Sequence, residues 1–177
     1  MATPTGSPHR LLVLRHAKSS RNNAALADHD RPLASRGRRA AEALAKHFAT
    51  IEPPPALVLC STARRAQDTL EPVRARLPDS TEVLVEGDLY DAFAPELLAR
   101  LRRVDDAIAG VLLVGHNPGL EDLVRGLARH GEPGLIARLH TKFPTGALAT
   151  LAFDGPWKDL GAKPASLEAY IVPGDLE

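Results

Sequence analysis

The sequence is short of several things, and each shortage excludes something. It has a single cysteine, Cys60, in 177 residues, so an internal disulfide and any multi-cysteine zinc or iron–sulfur site are excluded. A lone thiol fits a reducing compartment, and the expected setting is the cytoplasm. No apolar run approaches the ~18 residues that span a bilayer, so no membrane association is expected. The first ten residues, Met1 to Arg10, contain Pro4 and Pro8 and no apolar stretch. They read as a flexible N-terminal tail, not a secretory signal. Net charge is missing as well: 22 Lys and Arg stand against 22 Asp and Glu. A neutral chain argues against a nucleic-acid binder, whose basic surface usually shows as net charge. Lysine is scarce, since the 22 basic residues divide into 17 Arg and 5 Lys. Genome base composition is the bland cause of that skew, but Arg also grips phosphate in a bidentate way.

What is present suffices for a core. Hydrophobic residues make up 44% and charged residues 25%, the ordinary globular range. Residues 11–177 read as one domain, without repeat or linker. Leu11-Leu12-Val13-Leu14, Leu57-Val58-Leu59-Cys60 and Val111-Leu112-Leu113-Val114 are short apolar runs without polar alternation, the pattern of strands buried on both faces. Val83-Leu84-Val85 is a further short strand. Between them lie helical patterns: one from about Arg36 to Thr50 with Ser35 as its N-cap, and one to about Leu77 capped by Ser61 or Thr62. Another opens at Pro95, and a fourth runs from about Gly119 to Arg129. Two later strands, Ala147 to Phe153 and Leu167 to Val172, flank a loop carrying Trp157. This alternation predicts an α/β domain with a mainly parallel sheet and helices on both faces.

In such a sheet, ligands bind beyond the C-terminal ends of the strands. Three polar motifs fall there: Arg15-His16, Ser61-Thr62-Ala63-Arg64-Arg65, and Gly115-His116-Asn117. Two imidazoles and at least two guanidiniums around one crevice suit a phosphoryl group better than a carboxylate. Phosphoryl transfer loads charge on three non-bridging oxygens. One neutral imidazole would attack phosphorus while the other groups stabilise those oxygens. No metal-binding motif is present, and no cofactor is expected.

The order Arg15-His16-Ala17, Ser61-x-x-x-Arg65-Ala66-x-x-Thr69 and Gly115-His116-Asn117-Pro118 resembles the histidine phosphatase superfamily, also called the phosphoglycerate mutase-like fold. Ala17 in place of the usual glycine resembles the SixA-type branch. So do Leu14 to Ser20, Asp28-His29-Asp30-Arg31-Pro32-Leu33 and Lys142-Phe143-Pro144-Thr145-Gly146-Ala147. The resemblance spans about Leu11 to Val172. It implies that His16 is the nucleophile that becomes phosphorylated, that Arg15 and Arg65 grip the phosphate, and that His116 is the second histidine of the pocket. Arg64 is the neighbour most easily confused with Arg65; the spacing from Ser61 favours Arg65. Ser61, Asn117, Lys18 and Ser19 are candidate substrate-binding residues. The general acid of the family falls near Glu86, Asp88 or Asp91, with Glu86 the chosen candidate. A phosphohistidine substrate would need little acid, because its leaving imidazole has a reference pKa of ~6.5.

Bland readings compete. His16 or His116 alone would be a packed core histidine, and Arg65 alone a helix-face arginine; their joint occurrence outweighs this. Asp28-His29-Asp30 looks like a metal triplet but reads as loop, with Asp30-Arg31 ordering it beside the pocket. Cys60 reads as a small core hydrophobe. Arg36-Gly37-Arg38-Arg39 reads as a solvated helix start, although positive charge is disfavoured at that end. The expectation is a metal-independent phosphatase with a small cap, acting on a histidine phosphotransfer domain of a signalling relay. The alternatives are a phosphomonoesterase for small phosphorylated substrates and a phosphate-recognition module without turnover.

Overall fold

The computed structural model describes residues 8–177; the part of the expected tail at residues 1–7 lies outside them. The chain enters the sheet at once. Strand β1 spans His9–Arg15, so His9 and Arg10 are strand rather than tail. The described residues then give α1 (Ser35–Phe48), β2 (Leu57–Ser61), α2 (Arg64–Arg74), β3 (Glu82–Glu86), α3 (Ala94–Leu101) and β4 (Gly110–Gly115). After them come α4 (Gly119–Leu127), β5 (Ala128–Gly131), α5 (Pro133–Thr141), β6 (Leu148–Phe153) and β7 (Ala165–Ile171).

The strands form one sheet in the order β3-β2-β4-β1-β6-β7-β5. The pairs β1–β4, β2–β4, β2–β3 and β5–β7 are parallel; β6 runs antiparallel to both β1 and β7. Alternation along β1 explains the two-sided burial. Leu12 and Leu14 pack with Leu44 and Phe48 of α1 and Leu70 and Val73 of α2. Leu11 and Val13 face the other way, against Leu97 and Leu101 of α3 and Leu120 and Leu123 of α4. Each such leucine contributes about 1.5–3 kcal/mol by leaving water. A one-residue slip would exchange the two sets of partners, so the register is tightly specified.

Several local expectations need correction. Ser35 is the first helical residue of α1 and Ala34 the N-cap, with no side-chain cap bond. The cap of α2 is Ala63, not Ser61 or Thr62, although Ser61 Oγ accepts the Ala63 N–H at 3.1 Å. Helix α2 ends at Arg74, short of Leu77. Helix α4 stops at Leu127, and β5 and α5 follow where no element was expected. Pro133 sits in the first turn of α5, and the Glu132 carboxylate accepts the Gly134 and Leu135 amides. These are helix-start signals inside a Gly- and Pro-rich stretch that otherwise reads as loop.

Candidate active site

The C-terminal ends of β1, β2 and β4 bring their polar residues to one edge. A cavity of about 270 Å³ there is lined by Arg15, His16, Lys18, Ser19, Asp28 and Arg65, with Arg21, Arg31, His116, Asn117 and Thr145 completing its wall. It is dominated by cations, and Asp28 is its one carboxylate.

His16 is buried, and both its ring nitrogens are committed. Nδ1 lies 2.7 Å from the Ala17 carbonyl oxygen, which can only accept, so Nδ1 carries the proton. Nε2 therefore presents its lone pair, and Arg65 Nε donates to it at 3.3 Å. Burial, with the nearby His116, Arg65 and Arg15, pushes the His16 pKa down to about 3. The ring of His116 lies 5.2 Å from that of His16. Its Nε2 is 2.8 Å from Ser61 Oγ, and burial followed by the Arg65 charge lowers its pKa to about 4. Both imidazoles are thus neutral at pH 7. Among the described residues, the buried side-chain polar atoms without a partner are Arg15 Nε, His116 Nδ1 and Asn117 Oδ1, all at this one site.

The loop that follows β1 is braced from three directions. Thr69 Oγ1 of α2 accepts the Ala17 N–H at 2.9 Å and donates to Arg65 O at 2.7 Å. Gly146 N donates to the carbonyls of Arg15 and His16. The Phe143 carbonyl accepts from Arg15 Nη1 at 3.1 Å and from Asn117 Nδ2 at 2.8 Å. Gly146 has φ of +78°, a turn conformation that suits glycine.

Of the residues singled out from sequence, Arg15, His16, Arg65, His116, Lys18, Ser19 and Asn117 meet at the cavity. Ser61 is fully buried behind His116 and does not line it. Arg64 is exposed and pairs with Asp68. Glu86 is not brought to the cavity: Arg100 holds it through Nε at 2.8 Å and Nη2 at 3.0 Å, and those bonds lower its pKa. Asp88 and Asp91 are exposed and also outside the wall. The loop is ordered by Asp28 and Arg31 rather than by Asp30. Arg65 Nη1 donates to Asp28 O at 2.7 Å and Nη2 to Asp28 Oδ2 at 3.0 Å. Tyr90 donates its hydroxyl to the same carboxylate, and Arg31 bonds Asp28 Oδ1 and Ser19 Oγ. Asp28, Arg21, Arg31, Tyr90 and Thr145 were missed as site residues. Asp28 and Arg31 left a trace in an acidic–basic loop after the first strand, and Thr145 in the stretch from Lys142 to Ala147.

A cationic pocket with a neutral histidine at its centre, on the C-terminal edge of a mainly parallel sheet, is the arrangement of a phosphoryl-handling enzyme. Residues 11–120 match the model of the histidine phosphatase superfamily (branch 1), and the chain belongs to that superfamily. It is a phosphatase of the SixA type with a phosphoglycerate mutase-like fold. The chain is 36% identical over 162 residues to an uncharacterised protein of Mycobacterium tuberculosis, covering 90% of this chain and 99% of that one. Its structure is similar to that of a Nakamurella multipartitia protein provisionally named phosphohistidine phosphatase SixA. The TM-score is 0.83 at 32% identity, over 97% of this chain and 99% of the other. A similarly named Agrobacterium tumefaciens structure gives a TM-score of 0.79 at 28% identity, over 95% and 100% of the two chains.

Proposed function

We propose that the protein removes the phosphoryl group from phosphohistidine on a signalling phosphotransfer protein in the cytoplasm, through a covalent intermediate on His16. The observation that carries this reading is the tautomer of His16. With Nδ1–H tied to the Ala17 carbonyl, Nε2 is a neutral nucleophile at pH 7 without needing a base. Nε2 attacks phosphorus, and the bond from phosphorus to the substrate imidazole breaks with its electron pair going to that nitrogen; the substrate ring, already protonated on its other nitrogen, leaves as neutral imidazole. Arg15, Arg65 and His116 stabilise the equatorial oxygens. Water then attacks phosphorus, the P–Nε2 pair returns to His16, and inorganic phosphate leaves with the water oxygen.

The choice of a phosphoramidate over an alkyl ester rests on the missing acid. An alkoxide must be protonated as it departs, whereas an imidazole that already carries a proton on its other nitrogen leaves neutral without one. Asp28 lies in the cavity wall but is held ionised by Tyr90 and Arg65, and Glu86 is held ionised by Arg100. Neither is a proton donor at neutral pH. The test is a panel of a phosphohistidine peptide, a sugar phosphate and an aryl phosphate, with acid-quenched and base-quenched trapping. The expected result is fastest turnover of the phosphohistidine peptide, unaffected by EDTA, with a base-stable, acid-labile phosphate mapped to His16. His16→Ala reduces release to background, and Glu86→Gln leaves it near wild type. Faster turnover of the sugar phosphate would favour the small-molecule reading. Binding without turnover, the same in wild type and His16→Ala, would overturn the enzyme mechanism.

A further inference from the structure

Arg36-Gly37-Arg38-Arg39 puts three cations at the start of α1, with no acidic residue in its first turn. That is the helix end where positive charge is unfavourable. Among the described residues, Arg38 alone of the three makes side-chain hydrogen bonds: Nη1 donates to Leu33 O at 2.9 Å and Nη2 to Ser35 Oγ at 3.1 Å. Arg36 and Arg39 are exposed and line a cavity of about 630 Å³, together with Lys18 and Lys142. None of these four makes an ion pair among the described residues. Glu177 is the only carboxylate side chain in that wall.

Two features tie this basic cavity to the catalytic one. Lys18 and Thr145 line both. Gly37 then fixes α1 against the catalytic loop. A Cβ built there would lie 2.0 Å from the Lys18 carbonyl oxygen, and Ala34 N donates to that same oxygen at 2.9 Å. The groove also continues along α1, because Arg39 and Ala43 are shared with a further cavity of about 520 Å³ whose wall adds Arg38, Lys46 and one carboxylate, Glu42. Arg36 to Lys46 is ten residues, or about 15 Å of helix. A small metabolite seated at His16 does not extend that far from its phosphoryl group. A folded partner with a run of carboxylates does.

We propose that this groove, walled by Arg36, Arg39, Lys18 and Lys142, docks an acidic face of the phosphorylated protein substrate and orients it for delivery of its phosphoryl group to His16. The inference rests on the phosphatase reading above and names the partner's surface chemistry. Docking of this kind acts mainly on encounter and KM and weakens with salt.

The test pairs two synthetic peptides with the same phosphohistidine, one flanked by Asp and Glu and the other by Gln and Ser. The enzymes are wild type, Arg36→Glu/Arg39→Glu and Lys142→Glu. In wild type the acidic peptide is expected to have a kcat/KM at least about 10-fold higher, carried by KM and falling with ionic strength. The double reversal brings the ratio to about one and leaves the neutral peptide unchanged. A wild-type ratio of one, or a ratio untouched by the reversals, overturns the docking surface while leaving the phosphatase intact. Equal losses on both peptides and on a sugar phosphate would instead make the groove a small-molecule subsite and overturn the proposal. Fluorescence anisotropy of the unphosphorylated acidic peptide reads the groove without catalysis. Binding lost in the double reversal supports it even if no peptide is turned over, a result that would sink the substrate reading alone. Stronger binding to anionic lipid vesicles than to the peptide would overturn the proposal in favour of a membrane.

Discussion

At the scale of single residues, the pocket holds two imidazoles that fold without a proton and unfold to take one. His16 and His116 have pKa values of about 3 and about 4 in the native chain, against ~6.5 when unfolded. Below ~6.5 the unfolded state therefore binds more protons than the native state, and stability falls as pH drops towards 3; above ~6.5 the contribution is fully present. Urea midpoints are expected to fall between about pH 7 and about pH 5, with a shallower fall in His16→Gln. Across the same range, the ring protons of His16 and His116 stay unshifted by NMR, so an acid limb of kcat/KM there does not come from either ring. Asp28 supports a separate prediction as a positioning residue. Asp28→Asn weakens the grip on the Arg65 guanidinium and lowers kcat/KM by roughly 10- to 100-fold. The phenol of Tyr90, raised first by burial and then by Asp28, titrates at lower pH in that variant, which ultraviolet difference absorbance reads. Arg15, His16, Arg65 and His116 were legible because each follows an apolar run that fixes its place at the sheet edge. Asp28 was not, because its partner Arg65 lies 37 positions away and nothing local announces the pairing.

At the scale of elements, contact between α1 and the loop after β1 is the tightest constraint. Gly37→Ala places a methyl group where the Lys18 carbonyl oxygen already sits. The expected cost is about 1–3 kcal/mol, seen as a lower urea midpoint at unchanged slope, with turnover impaired as the loop shifts. Thr69→Val keeps the shape but leaves the Ala17 N–H without its acceptor. It is expected to cost about 1–3 kcal/mol for a buried donor left unpaired. The elements missed from the sequence show what local pattern omits. Ala128-Arg129-His130-Gly131 has no strand-like alternation; it is a strand because β7 offers it a parallel partner. Helix α5 is nine residues long with one buried residue, Leu139, too little periodicity to stand out after Gly131 and Pro133.

At the scale of the whole molecule, zero net charge hides a strongly uneven distribution, with cations gathered in the pocket and along α1. Composition gives the balance of charge but not its place; the topology sets the place, by bringing β1, β2 and β4 side by side. The same topology separates the site from the only tryptophan. Trp157 is fully buried, donates from Nε1 to Ile108 O at 2.8 Å, and packs 5.1 Å from the ring of His9, at the start of β1. His16 follows the end of β1, so roughly 20 Å of strand lies between the indole and His16. Tryptophan emission is expected to track global unfolding in urea and to stay flat while phosphate or vanadate saturates the pocket. Tyr90 stands edge-on to His116 at 5.5 Å, so tyrosine difference absorbance is where occupancy registers. The protein thus carries two optical reporters at opposite poles, one blind to ligand, and a silent tryptophan titration records where the indole sits and not how tightly an oxyanion is held.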